Sequence, residues 1–210
     1  MRETMNWINI VLLFSSIILI VVVALVTKRH GKLQDTKNRR FLEEEQEANM
    51  ARKREIEPEL FFYANLEKLP YVPDSDPHRV LRTSRRTMIR FDRPESNVDL
   101  KKRYGVAQLD SITQFEENFH DFLKSLGEWA QALYDEGNAD GALQVLEYAI
   151  ELGSEFRGTY RLAADIYAVG RDVYALERLL QMATDNYFKD PAMLEHVLSY
   201  IEEKIEELRV

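Results

Sequence analysis

Five arginines between His78 and Arg93 stand three or four residues apart: Arg79, Arg82, Arg86, Arg90 and Arg93. On a helix this 3-4-4-3 rhythm makes one basic stripe, with Leu81, Met88 and Phe91 on the opposite side. A guanidinium stripe binds anions, and three sources compete for it: anionic lipid headgroups, the acidic half of the same chain, or nucleic acid. Nucleic acid fits least, because no aromatic side chains interleave with the arginines for base stacking and the distal half of the chain is strongly acidic. Residues 1–105 carry 20 basic and 15 acidic side chains and residues 106–210 carry 8 and 21, so the net −8 divides into +5 and −13. Thr83, Ser84 and Thr87 lie among the arginines, where an added phosphate would weaken either remaining attraction.

Catalytic chemistry has little footing. The four histidines (His30, His78, His120, His196) are scattered, without a metal-ligand spacing, a nucleophile elbow, a phosphate-binding glycine loop or a dinucleotide fingerprint. Asp74, Asp76 and His78 crowd a proline-rich stretch, a pattern of solvated turns more often than of cation sites. There is no cysteine, which excludes a disulfide framework, a thiolate nucleophile and a cysteine-ligated zinc. The expectation is a protein without catalytic residues, metal or cofactor. A membrane-bound hydrolase with an unfamiliar helical active site is the alternative.

Whatever the arginines bind, Ile8 to Thr27 sets where they do it. This run has no charged side chain, and as a helix it would reach roughly 30 Å, the thickness of a bilayer's hydrocarbon core. Arg2 precedes it beside Glu3, whereas Lys28, Arg29, Lys32, Lys37, Arg39 and Arg40 follow it. Positive flanks stay inside, so residues 1–7 are expected outside and the large C-terminal part in the cytoplasm. A cleaved signal peptide, ending near Val22-Val23-Ala24, is the competing reading. It suffers from a weakly basic start and an apolar run longer than usual.

Residues 28–57 read as a charged, solvated stalk, helical from about Thr36 to Ile56. Residues 58–105 form a connector with five of the six prolines. Its aromatic cluster, Phe61, Phe62, Tyr63 and Tyr71 with Leu60, Leu66 and Leu69, is expected to pack on the distal domain, with a seat near the bilayer interface as the alternative. From about Asp110 apolar residues recur every three or four positions. They predict one helix ending near Gly137 and others over Asp140 to Leu152, Thr159 to Val169 and Val173 to Asn186, with a last one opening at Asp190-Pro191. The fold expected is all-α: a transmembrane helix, a helical stalk and a helical domain over 106–210.

An offset of 33 residues aligns Gly137 with Gly170, Ala142 with Ala175, Leu146 with Leu179, Leu133 with Ile166 and Ala130 with Ala163. In these residues the chain resembles the tetratricopeptide repeat (TPR) family, whose helical hairpins place small residues where antiparallel helices meet. Ala130, Gly137, Ala142 and Ala149 match the motif in one copy, and Ala163, Gly170 and Ala175 in the next. Met182 departs from it where a second alanine belongs, as do Ser154 and Tyr187 where the motif favours proline. A generic helical bundle is the alternative.

The resemblance implies a protein-binding adaptor with a concave groove lined by the first helix of each hairpin. Carried over position by position, its candidates are Lys124, Gln131 and Tyr134, then Arg157, Tyr160 and Tyr167. The partners expected are therefore another protein and the bilayer, with anionic headgroups a target of the arginine stripe, and no nucleic acid.

Overall fold

A computed structural model describes residues 37–72, 77–91, 93, 95–186 and 188–209, together with Trp7, Leu12 and Ser15. Apart from Leu12 and Ser15, the run 8–27 lies outside the described residues, as do Asp74 and Asp76. Among the described residues no helix is long and apolar enough to cross a membrane.

The chain is mainly helical, with one two-stranded antiparallel sheet among the described residues. Helix α1 covers 37–49, and the helix expected to continue to Ile56 stops there. Met50 and Ala51 close a turn onto the carbonyls of Glu47 and Ala48. The next backbone bonds are tertiary: Arg54 N–H donates to the Tyr104 carbonyl at 2.9 Å, and Pro58 ahead disfavours helix in the residue before it. The 51–57 segment is thus packed on the fold, not a free stalk. Glu57 accepts from the Tyr104 hydroxyl and from Arg103, whose guanidinium also holds Glu95 at 2.7 Å.

Strands β1 (Phe61–Phe62) and β2 (Met88–Ile89) pair with Phe61 opposite Ile89 and Phe62 opposite Met88. Between them lies α2 (His78–Ser84), and after them α3 (Asn97–Tyr104), capped by Ser96. The spine is α4 (Val106–Asp135), 30 residues long and thus about 45 Å. Its first half carries α3 and the sheet, α2 lies along residues 125–128, and its second half also forms a hairpin with α5 (Ala139–Glu151). Then α6 (Arg157–Val169), α7 (Val173–Asp185) and α8 (Pro191–Arg209) follow, each packed on its predecessor, with α8 also against α6.

The core crosses the 105/106 boundary, since Val80 and Met88 belong to one buried cluster with Phe122, Leu126, Ala142 and Leu146. As expected of the connector's aromatics, Phe62 meets Phe119 edge to face at 4.9 Å and Phe61 lies 6.2 Å from Phe115. Tyr63 and Tyr71 do not join them; they are 83 % and 91 % exposed.

The hairpins repeat with an offset of 34, one more than the sequence alignment. The Asn138 side chain caps α5 by accepting from Gly141 N–H, and Asp172 caps α7 by accepting from Ala175 N–H, each at 2.9 Å. In this register the buried Leu126, Trp129, Ala130 and Leu133 correspond to the buried Tyr160, Ala163, Ala164 and Tyr167. Ala149 corresponds to Ala183, and both are wholly buried. Met182 no longer interrupts the pattern, because it stands one position off that contact.

Candidate functional site

The arginine stripe does not exist as one helical face. Only Arg79 and Arg82 lie on α2; the chain turns at Arg85 and Arg86 and becomes extended at Met88. The cause is non-local: β2 pairs with β1, and the buried Met88 and Ile89 join two clusters on α4 and α3. Within the segment the arginines divide their work. Arg79 pairs with Glu128 and Arg86 with Asp121, both on α4. These ion pairs run alongside Val80 and Thr83, which are buried, with the Thr83 and Ser125 hydroxyls 2.9 Å apart and Asn118 donating to the Thr87 carbonyl. The segment is a strap clasped onto the acidic distal half, while Arg82 points to solvent.

Arg90 and Arg93 instead reach a cleft of about 830 Å³. It occupies the corner where the overhanging first half of α4 meets the loop edge of the hairpins. Ile89, Arg90, Phe91 and Arg93 close one side, Leu152, Gly153, Glu155, Asp185, Asn186 and Lys189 another, and Glu116, Phe119, His120 and Leu123 of α4 form the back. Phe91, Phe119, Leu123 and Leu152 supply apolar surface; Arg90, Arg93 and Lys189 face Glu116, Glu117 and Glu155 around the rim.

The loop edge is braced. Glu155 accepts from the Lys189 backbone N–H at 2.9 Å, and the Asn186 amide donates to the Ile150 carbonyl and the Tyr160 hydroxyl. His120 lies against Phe156 with ring centres 4.6 Å apart. The cleft walls strip water from the Glu116 carboxyl and hold its pKa above the ordinary glutamate value, against the opposing pull of Lys189 and His120.

The residues proposed for a groove divide. Lys124, Gln131 and Arg157 are exposed, Gln131 donating to Asp135 at 2.8 Å, and Tyr134 is half-buried against the core. Tyr160 and Tyr167 are interior and line no groove. The Tyr160 hydroxyl donates to the Ser154 carbonyl at 2.8 Å, and that of Tyr167 to Glu147 at 2.6 Å. The reason is register: at an offset of 34 they take the places of Leu126 and Leu133, which face the core.

Sequence reasoning missed Glu116, His120 and Lys189. Glu116 and His120 stand one turn apart on α4, a spacing that unites their faces, but Lys189 joins them only through the packing of the α7–α8 loop. Among the described residues no three His, Asp or Glu side chains converge as a metal site. Comparison with known proteins finds no family model, no curated protein and no solved structure that matches this chain.

Proposed function

We propose that the chain is a single-pass membrane protein, held by residues 8–27 with its short N-terminus outside, and that its cytoplasmic helical domain is a TPR-like adaptor that binds a segment of another protein. The charge-free run with its basic following flank supports the anchor. The 34-residue period of the hairpins and the buried Ala130, Ala149, Ala164 and Ala183 support the TPR-like reading. One observation carries the adaptor role: the corner cleft offers an apolar back with a rim of both charges on a braced scaffold, the composition of a protein-binding surface.

The test is site-specific photo-crosslinking in cells from Lys189, in the cleft, and from Glu202, on the exposed side of α8. A single partner captured from position 189 and not from 202, and lost when Arg90, Arg93 and Glu116 are replaced together by alanine, is the expected result. Equal capture from both positions would remove the cleft from the binding surface.

The hydrolase alternative keeps one observation in its favour, that Glu116 and His120, one turn apart on α4, both line the back of the cleft. It requires turnover that Glu116→Gln abolishes. The adaptor requires none.

A further inference from the structure

With Arg79 and Arg86 engaged by α4 and Arg90 and Arg93 at the cleft, the strap offers lipid no continuous basic face. A different surface does. The backbone of 52–54 lies across the α3–α4 junction: Arg54 N–H bonds the Tyr104 carbonyl, the Gln108 side chain donates to the Arg54 carbonyl, and Arg52 crosses Gly105. This route holds the backbone of Arg52, Lys53 and Arg54 against Tyr104 and Gly105 at the C-terminal end of α3, whose last turn carries Lys102. All four are exposed, and none forms an ion pair among the described residues. Three nearby carboxylates are held by other cations, while Glu55, beside Arg54, and Asp99 of α3, which accepts from the Ser96 hydroxyl, form no ion pair among the described residues. Glu45 is bound by Lys101, and Glu57 and Glu95 by Arg103.

The patch is also close along the chain to the apolar run. Lys101 draws α1 against α3, and α1 is described from residue 37, so only 28–36 separate it from the apolar run. Fully extended, that stretch reaches at most roughly 30 Å. We infer that Arg52, Lys53, Arg54 and Lys102 form a lipid-reading surface that seats the domain on the anionic headgroups of the membrane holding it. The inference rests on residues 8–27 being an anchor. Its occupant follows from charge and reach: a polyanionic plane is the surface that the tether keeps constantly within range, and clustered exposed cations gain most from such a plane.

Because the chain has no cysteine, a single Ala107→Cys, exposed at the start of α4, can carry a donor fluorophore in the full-length protein. The protein is reconstituted into phosphatidylcholine vesicles with or without about 30 mol% phosphatidylglycerol, each with a trace of acceptor-labelled headgroup. Energy transfer should be about twofold higher in the anionic vesicles and fall to the neutral level in about 0.5 M salt. Joint replacement of Arg52, Lys53, Arg54 and Lys102 by glutamate should also bring it to that level, with helicity unchanged by circular dichroism. Transfer that is equal in both lipids, or indifferent to the charge reversal, overturns the inference.

Flotation with the neutral vesicles checks the anchor separately. A chain that floats with both lipids but shows no composition dependence keeps the anchor and loses the surface. A chain that floats only with anionic vesicles and is released by salt keeps the surface and loses the anchor.

Discussion

Gly137 and Arg171 hold the same place in the two hairpin turns and the same left-handed backbone, with φ of 84° and 53°. Each is followed by the capping residue of the next helix, Asn138 or Asp172. Glycine adopts this conformation freely, while a side chain with a β-carbon is strained there by about 1 kcal/mol. Arg171→Gly should therefore stabilise the domain by up to about 1 kcal/mol, and Gly137→Ala, which meets no atom within 4 Å, should cost a similar amount. Denaturant midpoints decide it; an unchanged or lower midpoint for Arg171→Gly would mean that its side chain does more than tolerate the turn.

Gly105 has the left-handed φ of Gly137, 81°, but not its open surroundings. A β-carbon at Gly105 would lie 2.9 Å from the carbonyl of Arg52 and from the backbone nitrogen of Lys53. Gly105→Ala adds this collision to the strain, and should cost on the order of 1 kcal/mol more than Gly137→Ala. It should also loosen residues 51–57 specifically. Amide exchange at Arg54, whose N–H bonds Tyr104, should accelerate in Gly105→Ala and not in Gly137→Ala.

The strap is held by burial more than by its arginines. Val80 is 1 % exposed against α4, and removing its two methyl groups should cost about 1.5–2 kcal/mol. Arg86 and Asp121 are both more than a third exposed, so their coupling in a double-mutant cycle should stay below about 1 kcal/mol and fade with salt. A larger coupling than the loss from Val80→Ala would reverse this ranking.

The helices of the hairpins were legible because their evidence is local. Apolar residues every three or four positions and the polar residues before each helix fix those elements from within. What escaped was decided by distant parts of the chain. The arginine rhythm from Arg79 to Arg93 is helical in form, yet Met88 and Ile89 become a strand because Phe61 and Phe62 pair with them. Tyr160 looked like a groove residue because glycine was matched to glycine; the turn conformation, shared by Gly137 and Arg171, puts the register one residue further on. The stalk looked solvated because its side chains are charged, and only the missing β-carbon of Gly105 lets its backbone dock. At the cleft, Arg90 and Arg93 stood out by their type, whereas Glu116, His120 and Lys189 acquire meaning only when the α7–α8 loop folds toward α4.

Tyr160 tests that register through its ionisation. Its wholly buried phenol donates to Ser154 and accepts from Asn186, and burial lifts its pKa from 10.0 to about 12. A raised folded-state pKa means that the native state holds the proton more tightly. This contribution is full below the unfolded value and is lost as pH rises from 10.0 through about 12. Across that window it amounts to roughly 1.4 kcal/mol per pH unit. Tyr160→Phe should cost about 1–3 kcal/mol at neutral pH and show a shallower loss of stability in alkali than the parent chain. Equal alkaline slopes would place the phenol in solvent.

Glu116 offers the complementary test, at the cleft. Its folded-state pKa is raised, mainly by desolvation, with Glu117 and Glu155 adding repulsion and Lys189 and His120 opposing it. The native state therefore binds this proton more tightly than the unfolded chain does, and stability falls as pH rises from the ordinary glutamate value through the raised one. At neutral pH the ionised carboxylate opposes folding, so Glu116→Gln should raise the melting temperature near pH 7, with the gain vanishing below about pH 3, where both states are protonated. A basic side chain delivered by a partner would offset the same strain, so the glutamine variant should be more stable alone yet captured less well from position 189. Stability and binding moving in opposite directions is the signature of a residue kept for recognition; a variant that loses both would mark Glu116 as part of the scaffold.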